Sequence, residues 1–149
     1  MRGTTTAARL RGAGERVTPQ RLSVAESLAS AGRQLTAEEL WERVRRQEPG
    51  IGRATVFRTL DALVAAGAAR RLEADSHVYS YVACQPEHHH HLACRSCGRV
   101  DEIGERLVRP FMERLAAETG FAIDDARLDF YGTCAGCAAD ATPARSPGG

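Results

Sequence analysis

Gly52-Arg-Ala-Thr-Val-Phe-Arg-Thr-Leu-Asp-Ala-Leu-Val-Ala-Ala66, then Gly67, then Ala69-Arg-Arg-Leu-Glu73 and Val78-Tyr-Ser-Tyr-Val82, is the stretch that decides the fold. Val56, Leu60, Leu63 and Val64 recur at helical spacing, while Arg53, Arg58 and Asp61 lie off that stripe. The pattern predicts a helix with a buried face and an outward face that carries arginines. Gly67 stops this helix, and the period then changes. Ala69–Glu73 and Val78–Val82 read as two short strands around the turn residues Ala74-Asp75-Ser76.

Two further helices precede this stretch. Thr18-Pro19 supplies an N-cap followed by proline at the first helical position, and Leu22, Ala25, Leu28 and Ala29 form an apolar stripe that ends at Gly32. Thr36 and Glu39 have the spacing of a capping box. Leu40, Trp41 and Val44 make the inner face of that second helix, and Pro49-Gly50 closes it. Residues 1–14, with Gly3, Gly12 and Gly14 among small side chains, are expected to be flexible. Three helices followed by a hairpin is the winged-helix arrangement, whose third helix enters the DNA major groove. A small helical domain with a hairpin and no DNA role fits the same pattern.

Composition narrows the remaining classes. The 149 residues are 43% hydrophobic, 26% charged and 5% aromatic, the balance of an ordinary globular chain. No apolar run is long enough to cross a membrane, and the N-terminal arginines lack the apolar segment of a secretory signal, so a cytoplasmic protein is expected. All 20 basic residues are arginine, and the formal net charge is +1. Residues 1–83 hold 13 Arg against 9 acidic residues, whereas residues 84–149 hold 7 against 10. A basic front half and an acidic back half suggest different partners, nucleic acid being one for the front.

The back half reads as a small α/β unit. Val100–Ile103 and Ala126–Tyr131 are expected as strands and Glu105–Thr119 as a helix with Leu107, Phe111, Leu115 and Ala116 inward. So few large apolar residues make a marginal core, which calls for a staple or a partner subunit. The expected organisation is a winged-helix domain over 1–83, a second domain over 84–140 that needs such a staple or partner, and a disordered tail over 141–149. The fold class is therefore α+β.

The five cysteines and four of the five histidines all follow Ala83. Cys94-x-x-Cys97 and Cys134-x-x-Cys137 are separated by 36 residues that contain a strand, a helix and a strand. Four thiolates close a tetrahedral structural zinc site, and this one would clamp the two ends of the small domain. A redox dithiol would need a thioredoxin-like βαβ context, and two disulfides would need an oxidising compartment. The second constellation is His88-His89-His90-His91, with Cys84 five residues before His89. In an extended segment His89 and His91 share one face, and His88 and His90 the other. A thiolate with two imidazoles is a set that favours zinc.

With these motifs in view, the chain resembles the ferric uptake regulator family of metal-responsive repressors. Arg16-Val-Thr-Pro-Gln-Arg21, Leu35-Thr-Ala-Glu-Glu-Leu40, Ala54-Thr-Val-Phe-Arg-Thr-Leu60, Cys84, His88 to Cys94, Cys97-Gly98 and Tyr131-Gly-Thr-Cys134-x-x-Cys137 carry the resemblance, over residues 15–137. It implies a homodimer, an N-terminal winged helix, a C-terminal dimerisation domain and a metal site that switches affinity for a palindromic operator. Gly32-Arg-Gln-Leu35 lacks the histidine that iron and peroxide sensors usually carry there, and Cys84 with its histidine pair is similar to the zinc uptake regulator subgroup. That subgroup often has an aspartate where Arg70 stands. Glu73, Asp75, His77, Glu102 or water then remains for the fourth ligand, and Glu102 matches a carboxylate used by some members. A further family site would use His88 and His90, but Arg109 and Ala126 occupy its other two positions unless Glu105 or Asp125 substitutes.

The same resemblance puts Thr55, Phe57, Arg58 and Arg53 at the DNA, with Phe57 replacing the usual tyrosine. Arg16, Gln20 and Arg21 are placed to meet backbone phosphates. An iron-, nickel- or peroxide-responsive regulator is the alternative within the family. A zinc hydrolase or deaminase would need a general base, and neither His-Glu-x-x-His nor His-x-Glu with Pro-Cys-x-x-Cys occurs. A metal buffer would not need the arginine-bearing helix.

Overall fold

The computed structural model describes residues 2–73, 77–85 and 89–141. The chain divides into two compact units, Met1–His88 and His89–Gly149. The turn residues 74–76, His88 and the expected tail beyond Ala141 lie outside the described residues.

The first unit contains α1 (Arg2–Gly12), α2 (Pro19–Ala29), β1 (Leu35–Thr36), α3 (Ala37–Gln47), α4 (Arg53–Ala65), β2 (Ala69–Glu73) and β3 (Tyr79–Ala83). Thr18 caps α2 by accepting the Arg21 N–H at 3.2 Å, with Pro19 opening the helix. Thr36 and Glu39 close the capping box of α3 through bonds of 3.1 and 2.8 Å. Leu28, Leu40, Val44, Val56, Leu60 and Leu63 meet in one core with Val24 and Ile51. The hairpin β2–β3 pairs Ala69 with Ala83 and Glu73 with Tyr79, and β1 adds to β3 in the order β1-β3-β2. Two residues are too few to show a strand period, which is why β1 escapes the sequence reading.

Residues 1–14 depart from the expected flexible segment, because Arg2–Gly12 forms a helix. Ala7 and Leu10, three apart, are buried in the core, and this packing outweighs the local glycines. Arg9 of α1 donates one bond to the Cys84 carbonyl at 2.7 Å and another to the Gly67 carbonyl. Gly67 has φ of +65°, the left-handed conformation that ends α4 and turns the chain into β2.

The second unit contains β4 (His89–Cys94), β5 (Val100–Gly104), α5 (Glu105–Thr119), β6 (Asp129–Gly132) and α6 (Ala135–Ala141). The sheet order is β5-β4-β6, antiparallel on one side and parallel on the other. The bounds of α5 match the sequence reading, and Gly120 at φ +74° ends it. The expected strand over 126–131 begins only at Asp129, and α6 was not foreseen.

The expected inner face of α5 is a correction. Leu107 is 75% and Phe111 59% exposed, Leu115 is also open, and Val108 is the buried residue of this helix. Nothing within the described residues of the second unit covers that stripe. Its buried apolar residues are Ala93, Cys94 and Val108, beside the buried His90 and His91.

Burial pushes the Glu39 carboxyl up, but the Thr36 N–H and Arg33 outweigh it and hold the carboxyl below its usual range. A lowered native pKa stabilises the fold above the unfolded value, and that contribution is lost as pH falls through the lowered one. Thr36→Ala should cost about 1 kcal/mol. Glu39→Ala should destabilise at neutral pH, with the gap to wild type closing in acid. Urea unfolding followed by Trp41, the single tryptophan, checks both.

Candidate metal centres and nucleic-acid interface

Cys94 ends β4, Cys97 lies in the turn to β5, Cys134 follows β6, and Cys137 rides on α6. One end of the small sheet thus delivers all four sulfurs to one point, where they lie within 4.8 Å of one another. Cys97 Sγ and Cys134 Sγ are 3.8 Å apart. Four thiolates at ~2.3 Å from one zinc stand about 3.8 Å from each other, whereas a disulfide brings two sulfurs to about 2.05 Å. All five cysteines are free thiols. The donor set and its spacing therefore fit a structural zinc.

The electrostatics agree. The backbone N–H groups of Cys134 and Cys97 hold the Cys94 thiol down at about 6. The Cys134 N–H reaches Cys94 Sγ at 3.3 Å. Cys137 is pushed up to about 12 by its hydrogen bonds with the Cys134 and Cys97 sulfurs. Four converging sulfurs cannot all ionise without a cation between them.

The histidines occupy β4, the central strand. His89 and His91 share a face, their ring centroids 4.9 Å apart and their planes at 80°. His91 Nδ1 lies 3.3 Å from Asp129 Oδ1, and His89 Nε2 lies 3.7 Å from Glu102 Oε1. Glu102 stands directly across from His91 on β5. On the opposite face the fully buried His90 accepts the Leu128 N–H at Nδ1 and turns Nε2 toward Glu105 Oε2 at 3.3 Å.

The other sequence candidates are dispersed. Glu73 and His77 face each other at 3.7 Å on the exposed tip of the β2–β3 hairpin, and Arg70 lies within β2. Asp125 pairs with Arg127 at 3.5 Å. Among the described residues no cluster of three or more metal-ligand side chains includes His90. Cys84 follows β3 in the first unit, where its N–H donates to the Ala68 carbonyl.

On α4, Arg53, Phe57 and Arg58 are exposed and Thr55 is half-buried. Among the described residues Arg58 forms no ion pair. Arg53 instead bonds Glu38 Oε2 at 2.7 Å and lies 5.3 Å from the Phe57 ring centre and 5.9 Å from that of Trp41. Arg45 covers Trp41 as well, at 5.1 Å. This cation–aromatic ladder joining α3 to α4 was not legible in the sequence, because its partners come from two helices. Arg16 and Gln20 are exposed. Arg21 turns back to Glu15 and to the Arg16 carbonyl, both at 2.8 Å.

Residues 12–131 match the profile of the Ferric uptake regulator family. The chain belongs to this family. It is 34% identical over 125 residues to the zinc uptake regulation protein of Mycobacterium tuberculosis, covering 84% of this chain and 96% of that one. It is 36% identical to the ferric uptake regulation protein of Bacillus subtilis over 126 residues, 82% and 85% of the two chains. Among solved structures, a zinc uptake regulator complexed with zinc and DNA superposes with a TM-score of 0.64 at 32% identity, covering 91% and 97%. The Vibrio cholerae ferric uptake regulator gives 0.66 at 30%, covering 84% and 96%. Like its family, this chain is a metal-responsive, DNA-binding transcriptional regulator and not an enzyme. No helix among the described residues is long and apolar enough to cross a membrane.

Structural zinc sites contribute folding free energy outright, ~10–16 kcal/mol apparent in small zinc peptides. Cys134→Ser should therefore lose one zinc per chain and yield monomer or aggregate, read by metal analysis and light scattering. A dimer that stays intact without that zinc contradicts the role.

Proposed function

We propose that this regulator is a zinc-responsive repressor that binds a palindromic operator as a homodimer in the cytoplasm. The observation that carries the choice of metal is the pair His89 and His91, side by side on β4 and preceded by Cys84. Thiolate and imidazole together select zinc over the harder metals. His89, His91 and Cys84 would hold the sensing zinc, with Glu102 as the carboxylate; its 3.7 Å approach to His89 supports that assignment. Arg70 brings a positive charge where the zinc subgroup often has an aspartate, so a carboxylate from β5 takes that place. A further site at His88 and His90 would need Glu105, which lies 3.3 Å from His90 Nε2, or Asp125 to substitute at the positions held by Arg109 and Ala126.

The bound zinc would supply charge and a fixed coordination geometry. The chain supplies the rest. Cys84 follows the wing, and His89 opens the second unit, so drawing both onto one ion restrains the few residues between them. A dimer must present two α4 helices at the fixed spacing of operator half-sites. Restraining the connection beforehand removes conformational freedom that DNA binding would otherwise cost, and so shifts the population toward the binding form. The open stripe Leu107, Phe111 and Leu115 supports a second copy as its cover.

At the DNA, Thr55, Phe57 and Arg58 of α4 would face the major groove, Phe57 offering its ring to a thymine methyl. Arg53 borders the same face. Arg16 and Gln20 would meet phosphates, while Arg21 fixes the start of α2 through Glu15.

Two variants test this reading by fluorescence anisotropy on operator DNA. Cys84→Ser should stay dimeric, keep its structural zinc and lose the zinc-dependent gain in affinity, about 5–150-fold for a typical coupling. Arg58→Ala should keep both zincs, bind more weakly and lower the salt slope by about 1. A Cys84→Ser protein with unchanged zinc dependence contradicts the sensing site.

A further inference from the structure

The β6 side of β4 holds His91 at two points. The His91 N–H donates to the Leu128 carbonyl at 3.1 Å. One residue on, Asp129 Oδ1 lies 3.3 Å from His91 Nδ1. The parallel register pairs His91 with Asp129, so both side chains leave the same face of the sheet. The His91 side chain is 2% exposed and that of Asp129 18%.

A carboxylate beside an imidazole nitrogen takes the proton of that nitrogen as a hydrogen bond. With Nδ1 protonated, the lone pair of neutral imidazole is on Nε2. Metal-ligating histidines are commonly fixed in this way, and removing the outer partner weakens metal affinity by about 10–100-fold. Asp129 is not among the sequence candidates, because 38 residues separate it from His91 and only the parallel pairing brings them together.

We propose that Asp129 is a positioning residue for zinc sensing: it accepts the His91 Nδ1–H and so presents His91 Nε2 to the metal. The inference rests on the reading of His91 as a sensing ligand. It also explains a link between the two metal centres. Asp129 opens β6, and β6 runs straight into Cys134, so the cysteine clamp that seats β6 against β4 also aims the carboxylate at His91.

The test uses the full chain with its structural zinc, titrated with Zn2+ against a chromophoric chelator. Asp129→Ala should keep the structural zinc and weaken the second by about 10–100-fold. Asp129→Asn keeps a neutral carbonyl acceptor and should recover much of that loss. In the wild-type protein at low sensing-site occupancy, 15N NMR should show neutral His91 protonated at Nδ1, and Asp129→Ala should populate the Nε2–H form. Unchanged affinity in Asp129→Ala overturns the proposal. Equal loss in the Asn and Ala variants also overturns it, since that is the behaviour of a direct ligand. The wild-type tautomer decides the matter without any substitution, an Nε2–H form counting against it. His91→Ala separates the two levels: if it loses the second zinc while Asp129→Ala does not, only the positioning role fails. If His91→Ala keeps the second zinc, the sensing site itself is wrong.

Discussion

The second unit depends on four sulfurs meeting at one point. Its buried apolar residues are too few and too small to order a three-stranded sheet by burial alone. Cys94 and Cys97 bracket the turn from β4 to β5, while Cys134 and Cys137 close the chain after β6. A tetrahedral ion gripped by all four would tie the first and last strands of the unit together across a 36-residue gap. That tie keeps β6 beside β4, and the parallel pairing seats His90 and His91 against Leu128 and Asp129. The histidines proposed to sense zinc would thus be ordered by a separate, structural metal centre.

The first unit has the opposite character. An apolar core from α1 through β2 makes it self-sufficient, and its surface is free to carry charge. The same helix that contributes Val56, Leu60 and Leu63 to the core turns Arg53, Phe57 and Arg58 outward. Arg9 adds a link within this unit, bonding the carbonyl of Gly67, just past α4, and that of Cys84, just past β3. The backbone around the proposed thiolate ligand and the turn that follows α4 are therefore held by one guanidinium.

Much of this was legible in the sequence because it is written in local patterns. Helical spacing in α4 and α5, the Thr36–Glu39 box and the paired Cys-x-x-Cys motifs each depend on residues a few positions apart. What escaped depends on distance along the chain. Residues 1–14 read as frayed because Leu10 finds its burial against helices far downstream. The stripe on α5 read as inward because periodicity reports that a face is apolar, not what covers it. Among site residues, the neighbours of His90 and His91 on β6 were hidden by the crossover between the strands. Glu102 and Glu105 were named, yet their approach to His89 and His90 needed the antiparallel register of β4 and β5.

In the proposed switch, zinc held by the chain's own cysteine and histidines sets its affinity for DNA. The most direct measurement is the dissociation constant of the intact dimer for its operator, at fixed salt, across buffered free Zn2+ and with the structural site kept full throughout. Affinity should rise steeply over the range in which a second zinc per chain binds, with Fe2+ and Mn2+ giving less at equal free concentration. Operator affinity that stays constant while the second zinc binds would contradict it.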